Sequence, residues 1–356
     1  MIEARKIRVL VIDDSAIVRK ILSETLASEP DIEVVGTAPD PIIALEKINR
    51  LKPDVLTLDI EMPRMDGLTF LKQLMRTQPM PVILISSLAQ SSVDIALEAL
   101  RHGAVDVLAK PSGPYSVGEL RATVSASIRA AARAKLRRNL SSELTRATAP
   151  VHDNTPRDMT RLIAIGASTG GTEAICSLLT SLPAEVPPIL IAQHIPPMFS
   201  RTFAKRLDTL CRMEVREAVD GDVPHPGLAL VAPGGFHMVV ERAGGAFRIK
   251  IKNGPLVCYQ RPSVDVLFTS VAMTAGGRAI GVILTGMGND GAHGMKRMKD
   301  QGCHNIAQDE ATCVVFGMPR EAIRAGAVDQ TLPLDRIAPA LMNACVSGSL
   351  PVVAAR

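Results

Sequence analysis

Short apolar runs alternate strictly with helix-like segments over roughly the first third of this chain, and that alternation limits its fold more than any other feature. The runs 8–12, 33–37, 55–58, 82–86 and 106–108 are rich in Val, Ile and Leu, and the segments 16–28, 41–51, 68–77, 91–101 and one from about 117 fall between and after them. In 41–51, Ile42, Leu45, Ile48 and Leu51 recur at three-residue steps, close enough to the helical period to predict one apolar face. Five strands and five helices in strict alternation imply a parallel sheet covered on both sides.

Three carboxylates close two of these strands. The first run ends in Asp13-Asp14 and the third in Asp59. If the strands are parallel neighbours, their carboxyl ends share the edge where open α/β sheets bind ligands. Like charges so clustered call for a cation, and hard oxygen donors suit Mg²⁺.

A second alternation begins at Leu162 and runs through 189–192, 227–232, a hairpin across Met238 to Lys252 turning at Gly244-Gly245, and 279–284, before fading near 348. Between the two series, residues 129–138 carry Arg129, Arg133, Lys135, Arg137 and Arg138, and 141–160 turn to Thr, Asp, Asn and Pro. This reads as a helix with a solvated basic face running into a linker. The boundaries expected are 1–128, a helix end and linker over 129–159, and 160–348.

The second series opens with Gly166-Ala-Ser-Thr-Gly-Gly171 directly after the apolar run Leu162 to Ile165. The G-x-S-x-G spacing suits a sharp strand-to-helix turn that lifts the Ser168 hydroxyl clear of its backbone. On spacing alone a nucleophile, an anion cradle and a plain turn all remain open. A serine nucleophile needs a base and an orienting acid. His194 ends the apolar run 188–193 and belongs at the same sheet edge, whereas His152 lies in the linker and His225, His237, His293 and His304 lack that placement. Asp290, in the glycine-rich segment after 279–284, is the best acid; Asp309-Glu310 and Asp220/Asp222 look like turns. Asp290 is expected to accept from His194 Nδ1, leaving Nε2 toward Ser168.

Composition excludes several classes. With 47% hydrophobic and 21% charged residues the chain has ample core. A net charge of +4, 3% aromatics and no Trp give no surface for nucleic acid. No segment approaches the ~18 unbroken apolar residues of a membrane span, so a cytoplasmic protein without membrane insertion is expected. The six cysteines never fall at metal-binding or redox spacing and are expected to be reduced core residues.

The first half resembles the receiver domains of two-component signalling, through Asp13, Asp14, the segment Leu56 to Gly67 containing Asp59, Ser86 ending the fourth run, and Ala109-Lys110-Pro111. The resemblance implies a flavodoxin-like (βα)5 domain with Asp59 as phosphoacceptor. It implies Mg²⁺ held by Asp14, Asp59 and the Glu61 carbonyl with Asp13 positioning waters, and Ser86 and Lys110 answering the new phosphoryl group. Where many receivers carry Phe or Tyr three residues before the lysine, this chain has Val107, so an aromatic rotamer switch is not expected.

The second half resembles the catalytic domain of the chemotaxis protein-glutamate methylesterases. The matching segments are 166–171, Gln193-His-Ile-Pro-Pro197, Ala232-Pro-Gly-Gly-Phe-His237, Gly286-Met-Gly-Asn-Asp-Gly291, Ala307-Gln-Asp-Glu310 and Phe316-Gly-Met-Pro319. That resemblance implies a doubly wound α/β domain in which Ser168, His194 and Asp290 hydrolyse glutamyl γ-methyl esters and deamidate glutamines. The Thr169 and Met287 N–H groups would form the oxyanion hole, with no cofactor in this domain. It further implies methyl-accepting chemoreceptors as substrate, a chemotaxis histidine kinase as phosphodonor, and inhibition by the unphosphorylated receiver. A receptor-docking adaptor with weak or no catalysis, or a receiver-controlled esterase acting on a different ester, are the alternatives; a DNA-binding output is opposed by the βα alternation.

Overall fold

The computed structural model describes residues 5–87, 90–110, 117–135 and 157–346. The chain divides into two compact units at residue 140. Pro111, most of the expected linker (136–156) and residues 347–348 lie outside the described residues.

The first unit contains strands β1 (Ile7–Ile12), β2 (Ile32–Ala38), β3 (Val55–Asp59), β4 (Val82–Ser86) and β5 (Asp106–Ala109). They form one sheet in the order β2-β1-β3-β4-β5, every pair parallel. The register sets Ile12 beside Leu58 and Ser86 beside Ala109. Asp13, Asp59, Ser86 and Lys110 therefore meet at one carboxyl edge because each ends or directly follows its strand.

Two expectations are corrected here. In the helix Pro41–Leu51 the buried residues are Pro41, Ala44 and Ile48, and Ile42 is 50% exposed. Three residues cover only about 300° of a helix, so a strict three-residue stripe drifts off the buried face. The basic segment is also shorter as a helix than expected: the helix Val117–Ala131 stops at Ala131, where its buried residues Val124, Ile128 and Ala131 end. Arg133 and Lys135 are exposed, as expected, whereas Arg129 is half-buried and paired. Arg129 Nη2 donates to Glu29 and Asp31, both at 2.6 Å, and these bonds hold both carboxyls below their ordinary pKa.

The second unit contains β6 (Leu162–Ala167), β7 (Ile189–Gln193), β8 (Glu214–Glu217), β9 (Leu228–Val231), β10 (His237–Ala243), β11 (Ala246–Lys252), β12 (Ala279–Ile283), β13 (His304–Gln308) and β14 (Gln330–Leu332). Seven of these form a parallel sheet in the order β14-β13-β12-β6-β7-β9-β8. The antiparallel pair β10/β11 is the expected hairpin. It packs on the helix Val264–Ala275, with Met238, Val240, Ile249, Leu267 and Val271 in one apolar cluster.

Three strands are absent from the expected runs: β8 and β14 lie at the edges of the sheet with few buried residues, in β8 only Val215, whereas β13 is an interior strand. β6 lies in the middle: the chain leaves it toward β7 on one side and returns through β12 on the other. Such a reversal opens a crevice at the carboxyl ends of the strands. No helix of the described residues is long and apolar enough to cross a membrane.

Candidate functional site

Ser168 follows the last residue of β6, and the neighbouring strands supply its surroundings. The parallel register pairs Ala167 with Gln193, so His194, the residue after β7, stands beside Ser168, and its N–H donates to the Ala167 carbonyl at 3.1 Å. On the other side the chain after β12 closes against the serine, with Ser168 N–H donating to Thr285 O at 3.0 Å. Gly286 is required there, because a Cβ at that position would lie 2.7 Å from Ser168 Cβ. Asp290, four residues later, reaches across to the histidine.

His194 Nε2 and Asp290 Oδ2 are 2.7 Å apart. This corrects the expected assignment of the ring nitrogens: Nε2 engages the carboxylate, and Nδ1 is buried without a hydrogen-bond partner. Asp290 is anchored at the start of the helix Val264–Ala275, which places it beyond the outer ring nitrogen. In the tautomer that donates Nε2–H to Asp290, Nδ1 is the ring atom able to accept a proton. The Ser168 hydroxyl makes no hydrogen bond to it in this structure.

Asp290 is buried yet fully occupied. Oδ1 accepts from Ser263 Oγ at 2.8 Å and Asp265 N–H at 3.0 Å, and Oδ2 accepts from Val264 N–H at 2.7 Å besides the histidine. The backbone donors are the first N–H groups of a helix, orphaned by helix geometry and favourable to negative charge. Burial pushes the Asp290 pKa up, but the His194 bond and these N–H donors outweigh it and hold the carboxyl below its ordinary value. The aspartate therefore both orients the histidine and caps a helix.

Ser263 is not among the residues expected at the site. Ser263 caps the helix by accepting from Val266 N–H at 3.3 Å while donating to Asp290, and its own N–H donates to His237 Nδ1 at 3.2 Å. A Ser before an apolar helical run was a legible cap signal; its contact with Asp290, 27 residues on, was not. Thr169 is buried. Met287 follows Gly286, whose N–H donates to Val315 O and whose carbonyl accepts from Gly317 and Met318 N–H at 3.0 and 2.8 Å, which pins the loop on both sides. The rival acids are turn residues: Asp309 Oδ1 accepts from Thr312 N–H and Oγ1, Asp222 binds Arg216 and Asp220 binds Lys250. All six cysteines are free thiols; Cys303, Cys313 and Cys345 are buried as expected, whereas Cys258 is exposed.

The first unit gathers a different set. Carboxylate oxygens of Asp13, Asp14 and Asp59 lie within 4.8 Å of one another. Lys110 Nζ stands 2.7 Å from Asp59 Oδ2 and 3.3 Å from Asp13 Oδ2. Beyond these ion pairs with one shared ammonium, neither buried Oδ2 atom has a hydrogen-bond partner, so both keep acceptor capacity. Burial, aided by the Asp13 charge and opposed by Lys110, pushes the Asp59 pKa up to about 6. Burial also raises Asp13. On Lys110, burial works downward, but Asp59 and Asp13 prevail and its pKa is raised. Orphaned buried carboxylate oxygens short of positive charge fit a hard divalent cation. Glu61 contributes its N–H to Asp59 Oδ1 at 3.3 Å, and its side chain accepts from Ser92 Oγ. Ser86 is buried and donates to the Ser87 carbonyl at 3.1 Å; Val107 is buried in β5.

Comparison with known proteins matches both units. The family model described as CheB methylesterase covers residues 163–341, and that of the response regulator receiver domain covers residues 9–124. The chain is 53% identical over 334 residues to a protein-glutamate methylesterase/protein-glutamine glutaminase of Syntrophus aciditrophicus, spanning 94% of this chain and 97% of the relative. It is 51% identical over 353 residues to one from Anaeromyxobacter dehalogenans, spanning 96% and 98%. Among solved structures, the CheB methylesterase catalytic domain of Thermotoga maritima matches with a TM-score of 0.50 and 38% identity, over 51% of this chain and 97% of that one.

Proposed function

The chain belongs to the CheB methylesterase family and carries a response regulator receiver domain ahead of the catalytic one, and on that premise we propose that it hydrolyses glutamyl γ-methyl esters of chemoreceptors and deamidates selected glutamines, under control of phosphorylation at Asp59. The observation that carries the catalytic half is the His194 ring. Its Nε2 is held by a buried, ionised Asp290 at 2.7 Å, and its Nδ1 is unpartnered at the edge where Ser168 stands.

In the proposed reaction the Ser168 oxygen attacks the ester carbonyl carbon while His194 Nδ1 takes the hydroxyl proton. Asp290 stabilises the resulting imidazolium through Nε2. The tetrahedral oxyanion accepts from the Thr169 and Met287 N–H groups. Collapse breaks the bond to methoxide, which leaves as methanol with the proton from His194; for a glutamine the leaving group is ammonia. Water, deprotonated by the same nitrogen, then attacks the acyl-serine, releasing glutamate and restoring Ser168.

In the receiver, an Asp59 carboxylate oxygen attacks the phosphorus of a phosphodonor as the donor's bond to phosphorus breaks; with a chemotaxis histidine kinase as the physiological source, that is the P–N bond of a phosphohistidine, whose imidazole leaves. Asp14, Asp59 and the Glu61 carbonyl would hold Mg²⁺, with Asp13 orienting its waters. Bound there, the ion would offset the negative charge that opposes approach of a carboxylate to a phosphoryl group. Lys110 and Ser86 would meet the phosphoryl oxygens, and the change would release an inhibition of the catalytic domain by the unphosphorylated receiver. These activities belong in the cytoplasm, where receptor signalling domains and kinases lie.

The test is methanol release from receptor membranes carrying labelled methyl groups, with and without a small phosphodonor and Mg²⁺. Wild type should turn over slowly alone and faster with the donor, and Ser168→Ala should release no label. Near-wild-type release by Ser168→Ala would remove the serine from the mechanism.

A further inference from the structure

Gln193 closes β7 with its side chain buried, and its amide is turned to the backbone. Its Nε2 donates to the Ser168 carbonyl at 2.9 Å and to the His194 carbonyl at 2.9 Å, so one NH₂ group joins the backbones of the nucleophile and the base. The reverse orientation would set Oε1 against two carbonyl oxygens, and a side-chain amide has its donors on only one arm. Oε1 is left buried without a donor, a costly arrangement that only the two donations on the other arm can offset. Gly171 makes room for it: any Cβ there would strike Gln193 Oε1.

We propose that Gln193 is a positioning residue that aims the Thr169 N–H at the oxyanion. The Ser168 carbonyl and the Thr169 N–H belong to one peptide group, planar and antiparallel. Two donors converge on that carbonyl, Gln193 Nε2 and the Gly171 N–H at 2.7 Å. Fixing the carbonyl end of the plane fixes the N–H at its other end. The second donation, to the His194 carbonyl, ties the base to the same amide, so Ser168, the Thr169 N–H and the imidazole are set by one side chain. An oxyanion hole acts by being preorganised, and a freely rocking peptide would lose that advantage in the transition state while leaving substrate binding intact.

The inference rests on Ser168 being the nucleophile, and the variants Gln193→Leu, Gln193→Glu and Ser168→Ala of the full chain test the two separately. The readouts are kcat and KM for receptor demethylation, the affinity of an alkylboronate that adds to the serine as a tetrahedral anion, and the pH profile. Gln193→Leu should lower kcat about 10- to 100-fold with KM changed less than about 2-fold, and weaken the boronate by a matching factor. Gln193→Glu can donate only when protonated, so its activity relative to wild type should rise as the pH falls from about 8 to 6, burial keeping such a carboxyl neutral well above its usual range. A Gln193→Leu enzyme with wild-type kcat, or one losing kcat with undiminished boronate affinity, would overturn the inference. If Gln193→Leu does not fold, the pH dependence of Gln193→Glu decides, and a constant ratio to wild type overturns it. Turnover by Ser168→Ala would instead sink the serine mechanism itself.

Discussion

Asp59 and Asp290 are 1% and 2% exposed, each at the carboxyl edge of a parallel sheet, and their acidities move in opposite directions. Asp59 is pushed up to about 6 and Asp290 is held below its ordinary value. Burial acts on both; the surroundings differ. Asp290 has a donor for each lone-pair direction, three of them from Ser263, Val264 and Asp265 at one helix start. Asp59 shares one ammonium with Asp13 and retains an oxygen without a hydrogen bond. In the reaction proposed above, Asp290 would keep its charge while His194 gains and loses one, and it is saturated with donors. Asp59, proposed to bind a cation and form a new bond, keeps lone pairs free of hydrogen bonds, at a cost in stability. The proposed catalytic acid and the proposed phosphoacceptor thus use the same residue type on the same kind of sheet edge, separated by donor count.

The comparison can be broken most directly at Asp290. Asp290→Asn removes the charge that stabilises an imidazolium and sets an amide NH₂ against the Val264 or Asp265 N–H, so kcat for methanol release should fall on the order of 10³-fold or more; a loss under about 10-fold would show that the carboxylate does not support the base. Asp59→Asn should act on stability in the other direction. Between 3.8 and about 6 the native receiver keeps a proton on Asp59 that the unfolded chain has released, so its stability falls as pH rises through that window and stays lower above it. Removing the charge should stabilise the first unit by up to about 3 kcal/mol at neutral pH, with no gain below about pH 4, as read by denaturant unfolding without divalent cation; it should also abolish phosphoryl uptake. Asp290 predicts the mirror image, because its lowered value contributes stability that is present above 3.8 and lost as pH falls through the folded value.

Ser263→Ala sharpens the donor argument. It deletes one Asp290 partner and the helix cap together, which should cost the second unit about 1–2 kcal/mol and lower kcat several-fold, measured by unfolding and by methanol release. The smallest effect belongs to Arg129→Met. Its ion pairs with Glu29 and Asp31 lie near the surface, so the loss should stay under about 1 kcal/mol and shrink with added salt.

Much of this was legible in the linear order of residues. Apolar runs ending in Asp13, Asp59, Ser168 and His194 place those side chains at strand ends, and parallel strands bring such ends to one edge; both statements follow from periodicity alone. The hairpin at Gly244-Gly245 was legible for the same reason. The ring-nitrogen assignment was not, because it depends on where the helix Val264–Ala275 starts relative to β12, a relation between segments distant in the chain. Ser263, His237 and the Gln193 amide were hidden likewise: each is an ordinary cap, strand or strand-end residue until its partners are known.

The order of residues by itself determined which chemical groups reach the two sheet edges, since strand ends and helix starts are local properties of hydrophobic spacing and capping. Only the packed tertiary structure decided what each group meets there: four donors for Asp290, one shared lysine for Asp59, an unpartnered Nδ1 on His194. The reason is that acidity and direction depend on burial and on hydrogen bonds made across tens of residues, which no local pattern encodes.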